Sequence, residues 1–419
     1  MIRAGAMTLG ACALAAVPRI AAAQDVTAEP EQRYDVSGEV RVREEVRTNG
    51  YSGPTPDGDS DVELAHMRSR VRLDVAIDPG VAVVLELQDV RVLGEQGSTT
   101  ADSEGVDLKR GAIVLSELGG QPLSVELGRY VMKYGSERLI GALEWVDQGR
   151  TYDGARLSFA PAGWFVDGFA TRIREGMAAD GDLGLIGLYG GVSIAPWLDA
   201  ELYALGLFDR RDDDTMPEST YATLGARAAV NHGGVDATAE AAVQLGELDD
   251  SDLRGAGVAA TAGYTAPLPW SPRVGVELDY ATGDDPATAT NERFQTLLPT
   301  NHMHYGYADL AAWSNLVAAR AGVSAQPHPT LRVSVDAHYL RLARSDDAWL
   351  AATGAVIRPG IDGAGAHLGN EVDATVWWKP HRAFSLLAGV AYFAPGAFVR
   401  DTGASPGTSF VYAQAGAQF

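Results

Sequence analysis

The chain has one cysteine, Cys12, among 419 residues, which excludes an internal disulfide and any thiolate metal cluster. Even that residue falls in what reads as a leader. Arg3 gives a positive start, the apolar run at 4–17 is too short to span a bilayer, and Ala21-Ala22-Ala23 before Gln24 forms a small-residue cleavage site. Residues 1–23 are therefore expected to be a signal peptide and 24–419 the mature protein. Leu9-Gly10-Ala11-Cys12 resembles a lipoprotein box, but the apolar run before it is very short and a better site follows.

Long apolar runs are missing too. Nothing beyond about a dozen consecutive apolar residues follows the leader, so no transmembrane helix is available. Positive charge is the minority, with 33 Lys and Arg against 55 Asp and Glu and a net charge of −22. A basic nucleic-acid surface is thereby excluded, and no phosphate loop or dinucleotide fingerprint occurs. Helical periodicity does not persist anywhere for long.

Period two is what persists. Val36, Gly38, Val40 and Val42 alternate with Ser37, Glu39, Arg41 and Arg43; Met67, Ser69, Val71, Leu73, Val75 and Ile77 alternate with Arg68, Arg70, Arg72 and Asp74. Such alternation predicts about eighteen strands, at 34–47, 62–78, 80–93, 106–118, 122–131, 151–160, 163–175, 182–195, 197–208, 219–231, 234–247, 253–265, 272–283, 311–325, 329–343, 365–379, 382–393 and 407–419. A soluble sandwich would alternate similarly. The joins decide between them. Long ones at 48–61, 94–105, 132–150, 209–218, 284–310, 344–364 and 394–406 alternate strictly with tight turns such as Asp78-Pro79-Gly80 and Lys379-Pro380-His381. That predicts an all-β, transmembrane antiparallel barrel with short periplasmic turns and long outer loops. Tyr203, Phe208, Trp197, Trp270, Trp378 and Tyr392 fall near predicted strand ends, where lipid interfaces favour amphipathic rings. The chain ends on an aromatic strand at Phe419, the kind of signal that barrel-assembly machinery reads.

Parity then assigns a lumen. With apolar side chains toward lipid, Arg41, Arg43, Arg68, Arg70, Arg72, Asp74, Arg156, Arg172 and Arg174 point inward, as do Glu277, Asp279, Asp336, Glu371 and Asp373 on the far wall. Between Leu127 and Leu157 the pattern breaks into a stretch in which Arg129, Lys133, Arg138, Arg150 and Asp153 are interleaved with Tyr130, Tyr134, Trp145 and Tyr152. This is either a passage lined for something polar and anionic or a surface loop with solvated arginines. Arg129 is out of phase with Leu123–Leu127, through a bulge at Gly128 or because the strand has ended. The lumen is expected to be wet, with closure by outer loops at 132–150 and 284–310.

Gly128-Arg129 through Tyr134-Gly135, Glu137-Arg138-Leu139-Ile140-Gly141, Trp145 and Gly149-Arg150-Thr151-Tyr152-Asp153 form one cluster of irregular motifs. Thr282-Gly283-Asp284-Asp285, Phe294, Leu298-Pro299-Thr300-Asn301-His302 and Tyr305-Gly306-Tyr307-Ala308-Asp309 form another, followed by Asp346-Asp347-Ala348-Trp349 and Leu368-Gly369-Asn370-Glu371-Val372-Asp373. On these motifs, in this order, the chain resembles the alginate export family of outer-membrane proteins. The resemblance implies a barrel of about eighteen strands in the outer membrane of a Gram-negative bacterium, in contact with lipid and lipopolysaccharide, and passage of an anionic polyuronate through an arginine-rich lumen. Arginine suits repeated carboxylates because its fork pairs bidentately and keeps its charge. A wall of arginines facing a wall of carboxylates suits equally a porin for small polar solutes. A hydrolase reading rests on His302 and His304 beside Asn301 and Asp309, without a nucleophile motif such as G-x-S-x-G. No catalytic residues, cofactor or metal are expected.

Overall fold

The computed structural model describes residues 33–51, 61–94, 105–174, 182–210, 218–249, 251–351 and 353–419; the expected signal peptide lies outside them. Eighteen long strands follow one another: β1 Tyr34–Thr48, β2 Val62–Asp78, β3 Val81–Val92, β4 Asp107–Leu115, β5 Leu123–Tyr130, β6 Tyr152–Phe159, β7 Trp164–Arg174, β8 Leu183–Ala195 and β9 Leu198–Asp209 form the first half. The second half is β10 Ser219–His232, β11 Val235–Leu248, β12 Ser251–Thr265, β13 Arg273–Ala281, β14 Leu316–His328, β15 Leu331–Leu342, β16 His367–His381, β17 Phe384–Pro395 and β18 Thr408–Gln418. Each pairs antiparallel with its neighbours in sequence. β18 returns to β1, from Glu39 opposite Gln418 to Thr48 opposite Ser409, and Phe419 exchanges two 3.1 Å backbone hydrogen bonds with Gly38. Closure leaves no free edge, which is what lets a sheet sit in hydrocarbon. No helix among the described residues is long and apolar enough to cross a membrane.

The predicted strands match these closely, with two differences. β14 starts at Leu316 rather than 311, because Leu310 to Trp313 are buried in the loop core. The joins do not alternate strictly in length either: Leu248 pairs with Ser251 across a minimal outer turn, whereas 266–272 is a seven-residue inner connection between Thr265 and Arg273. Inner turns use glycine where a left-handed backbone is required, as at Gly80 (φ 75°) between β2 and β3.

The apolar faces look outward. Leu188, Leu202 and Leu278 are each at least 60% exposed, and Trp197, Trp270, Trp378 and Tyr392 stand out from the wall near strand ends. Tyr203 departs from the expected belt. It points inward, stacks on Tyr189 at 5.4 Å and donates its hydroxyl to Glu240 at 2.9 Å. Gly225 across the sheet leaves room for that ring, since a Cβ there would lie 2.3 Å from it.

A barrel this wide cannot be filled by side chains from its own wall. The outer half is filled by loops instead. Trp313, Trp349, Tyr130, Tyr152, Tyr305 and Phe294 are almost completely buried there, in one cluster with Phe169, Leu185, Leu205 and Leu340 from the wall. Leu188→Arg, mid-strand on the lipid face, is expected to destabilise the barrel by about 2–4 kcal/mol, and Ile194→Arg near the inner end by about 0–1 kcal/mol. Urea unfolding in lipid vesicles measures both; equal costs would place the lipid face wrongly.

Candidate functional site: a loop constriction seated on an arginine wall

The first inward loop runs from Tyr130 on β5 to Tyr152 on β6, two rings facing each other across the last rung of the pair. Left-handed residues at Gly135, Glu137, Leu143 and Gly149 (φ 53–61°) fold it too tightly to continue either strand. Its far end lies on the inner face of β1 and β2. Arg41 donates to the Glu144 carbonyl at 2.8 Å, Arg43 to the Trp145 carbonyl at 2.7 Å, Arg70 to the Gln148 carbonyl at 3.1 Å, and Lys109 on β4 to the same Gln148 oxygen at 2.7 Å. Two loop carboxylates complete the seat. Asp147 pairs with Arg41 and lies 3.0 Å from His66, and Glu144 pairs with Arg70 at 2.7 Å and Arg68 at 3.2 Å. Burial acts to raise Glu144, but Arg70 and Arg68 outweigh it and hold its carboxyl below the ordinary value.

The second inward loop, 282–315, is stitched to the first. Ile140 and Leu298 form a parallel bridge, Leu298 N–H donates to the Leu139 carbonyl at 2.9 Å, and Thr300 N–H to the Glu137 carbonyl at 2.9 Å. Arg150 donates to the carbonyls of Gly141, Leu298 and Pro299. Arg138 is clamped by Glu277 and, at 3.3 Å, Asp279, with the Tyr305 hydroxyl at 2.9 Å. Burial would lower its pKa, yet Tyr305 and the two carboxylates keep it well above the usual arginine value. Beside it His304 donates from Nε2 to the Ser136 carbonyl at 2.9 Å, and its Nδ1 lies 3.4 Å from Glu277. Burial, then Arg138, pushes His304 below its usual 6.5. Trp145 lies between the Arg43 guanidinium (4.2 Å) and the His302 ring (3.9 Å), and Tyr307 continues the stack at 4.8 Å from His302. His302 Nδ1 is 2.9 Å from Asp309, while its Nε2 is buried without a hydrogen bond.

The residues expected at the lumen thus separate into several groups. Arg41, Arg43, Arg68 and Arg70 face inward but are at most 7% exposed, gripping the loop instead of lining water. Arg138 and Arg150 are internal to the loop assembly, and Lys133 is a half-exposed loop residue 3.6 Å from Glu137. Arg72 and Asp74 pair on the inner face closer to the periplasmic end, and Arg156 with Glu126 beside them. Glu277, Asp279, Glu371 and Asp373 are inward and buried; Glu371 accepts the Ala308 N–H at 2.8 Å and Asp373 meets His338 at 3.1 Å.

Three of these residues lie on the other side of the wall. β5 and β6 pair without a register shift, so Gly128 carries no bulge: Arg129 shares the outward face with Leu127, and Asp153, its 2.7 Å partner, that with Leu157. Arg172 is exposed on the outward face with Trp164 and Val166. Arg174 ends β7, and its side chain lies outside the described residues. Lys109, Glu144, Asp147 and His66 escaped the sequence reading. Only a pairing between loop and wall marks them, and spacing does not encode that.

Replacing Arg68 and Arg70 together by alanine is expected to unseat the loop, raising single-channel conductance and its noise while the barrel still resists SDS at room temperature. Unchanged conductance would show that the grip does not seat the loop. For His304 the folded pKa lies below 6.5, so an unpacked loop binds the proton more readily. Packing is complete above about pH 6.5 and weakens as pH falls below it. Glu144 works in a lower window, losing its contribution only as pH falls below 4.5 toward its depressed folded value. Channel noise should therefore grow from pH 6.5 downward and lose that onset in His304→Gln; an identical profile in the variant would rule the histidine out.

Solved structures of several Pseudomonas aeruginosa proteins share this fold. OpdO matches with a TM-score of 0.63 at 12% identity, over 92% of this chain and 97% of that one. OccK11 (OpdR) matches with a TM-score of 0.61 at 13% identity, over 92% and 96%. OccK2 (OpdF), whose structure holds glucuronate, matches at 0.59 and 11% identity, over 92% and 96%. No curated protein matches the sequence. The family model for alginate export covers residues 32–412, and with a closed eighteen-strand barrel whose loops form an internal constriction, the chain belongs to the alginate export family of outer-membrane channel proteins.

Proposed function

We propose that this channel passes anionic saccharides of the uronate type across the outer membrane of a Gram-negative bacterium. The observation that carries the reading is the placement of guanidiniums below the constriction. Arg72, Arg110 and Arg156 occupy the inner face of one side, and Arg273, Arg320 and Arg332 line the cavity on the other. Arginine on both sides offers a carboxylated chain successive partners. Most of these guanidiniums already have a carboxylate neighbour, such as Arg72 with Asp74 (2.6 Å) and Arg273 with Asp236 (2.6 Å). A passing carboxylate therefore exchanges partners instead of filling an empty site, which keeps each contact weak enough to release. Family membership supports the cargo class, and the glucuronate in a barrel of the same fold is consistent with it.

A second reading, a nutrient-selective porin for small polar solutes, draws on the constriction itself. The stitched loops leave a cavity of about 350 Å³ below them, a volume suited to a ring or two and not to a thick chain. In either case the outward ends of the strands meet lipid and lipopolysaccharide, and folding depends on barrel-assembly machinery.

Oligouronates added to the protein in a planar bilayer should block single channels in a concentration-dependent way, and neutral oligosaccharides of equal size should not. In Arg72→Glu with Arg156→Glu, anion preference read from reversal potentials should drop by roughly threefold or more. Absence of blockade together with unaltered selectivity would leave the small-solute porin.

A further inference from the structure

The cavity below the constriction is built differently from the arginine wall. Its roof is made by the loops, from Trp145, His302 and Tyr307, and its wall by β13 to β18, so it opens toward the end of the barrel that carries the short turns. The surfaces it brings together are of two kinds. On the roof side stands the ring column, with Tyr412 of β18 standing edge-on to both Trp145 (4.9 Å, 81°) and Tyr307 (5.9 Å, 89°). Gly389 on β17 lets the Tyr412 ring lie close to the wall, since a Cβ there would fall 2.4 Å from it. On the strand side stand Arg320, Arg332, Ser334, Asp336 and Thr375, all partly accessible.

One polar atom beside this cavity, His302 Nε2, is buried without a hydrogen bond, although the ring is held at Nδ1 by Asp309. Buried polar groups are rarely left unmatched. Aromatic edges and faces opposite a mixed set of donors and acceptors, with three arginines against two aspartates in the lining, describe a particular ligand. It is a ring with apolar C–H faces, hydroxyls around its rim and one carboxylate. At about 350 Å³ the space lies at the lower end of ligand sites.

We propose that this cavity is a binding subsite for a single hexuronate ring, with Tyr307 and Trp145 as the apolar platform, Arg332 and Arg320 on the carboxylate, and Ser334, Asp336 and Thr375 on the hydroxyls. The subsite deepens the transport reading and rests on it for its place in a passage. It holds one ring of the cargo on the periplasmic side of the constriction, next to the loops that must yield for the chain to pass. Because Arg320 also bonds Glu277 (2.5 Å) and the Met303 carbonyl (3.3 Å), an occupied subsite draws on a group that helps hold the roof.

Glucuronate titrated into the full refolded protein in detergent, followed by saturation-transfer NMR and tryptophan fluorescence, tests the subsite without requiring transport. Saturable binding is expected, with glucose weaker, and Tyr307→Leu and Arg332→Gln each raising Kd by about fivefold or more. Ser334→Leu, which fills the space from a strand and leaves the loops alone, should abolish binding; Arg382→Gln on an inner turn should leave it unchanged. No saturable binding, equal binding of glucose, or indifference to Ser334→Leu overturns the subsite. Binding that follows these variants while oligouronates fail to block conduction retains the subsite and removes the transport reading. Blockade that persists unchanged in Ser334→Leu does the reverse.

Discussion

Guanidinium groups donating to backbone carbonyls are the interaction on which this structure depends. A closed barrel of eighteen strands is stable in hydrocarbon on its own terms, but its interior is too wide to close. What narrows the open tube is the seating of one loop on Arg41, Arg43, Arg70 and Lys109. Carbonyls of residues 144–148 carry no side-chain identity. The cations read the shape of the loop, and Asp147 and Glu144 balance the charge that four or five neighbouring cations would otherwise bring together.

Charge on the wall and hydrophobic packing in the loops are therefore parts of one device. The first loop supplies carbonyls to the arginines and, on its other side, a backbone edge to the second loop at Ile140 and Leu298. The second carries Tyr305 and His304 to Arg138 and Glu277, closing the arrangement against the opposite wall. Because these buried pairs are reciprocal, loss of either member strands the other in a poorly solvated place. Below this level charges are paired more loosely and partly accessible, and there the physics of passage applies.

The strands were legible because lipid enforces period two along almost every one. In β1 and β2 the parity of Val36–Val42 and Val71–Ile77 assigns the faces unambiguously. β7 shows where that logic runs out. Phe165, Phe169 and Ile173 form one apolar face and Trp164, Val166 and Ala170 another; an aromatic loop packs inside the barrel, with Tyr134 stacked 5.7 Å from Phe169, so both faces are apolar for different reasons. On that ambiguity parity points Arg172 to the lumen, whereas Tyr203 is expected in the lipid belt only from its place near a predicted strand end. The site was legible only in outline. The basic aromatic stretch and both inward loops stand out in the sequence, but the partners of Arg138, Arg150 and Lys109 are set by tertiary contact across more than a hundred residues or by carbonyls, which leave no trace in residue type.

The ring column has one more property. Arg43 belongs to the first strand and Tyr412 to the last, and Trp145, His302 and Tyr307 lie between them. The column therefore crosses the seam at which the barrel closes, where Glu45 faces Tyr412 across the pairing. Its final contacts cannot form until the chain's two ends have met. The first loop can seat on β1, β2 and β4 as soon as those strands pair, but its link to the far end of the chain through Tyr412 waits for closure, so the column ties the constriction to the completed ring.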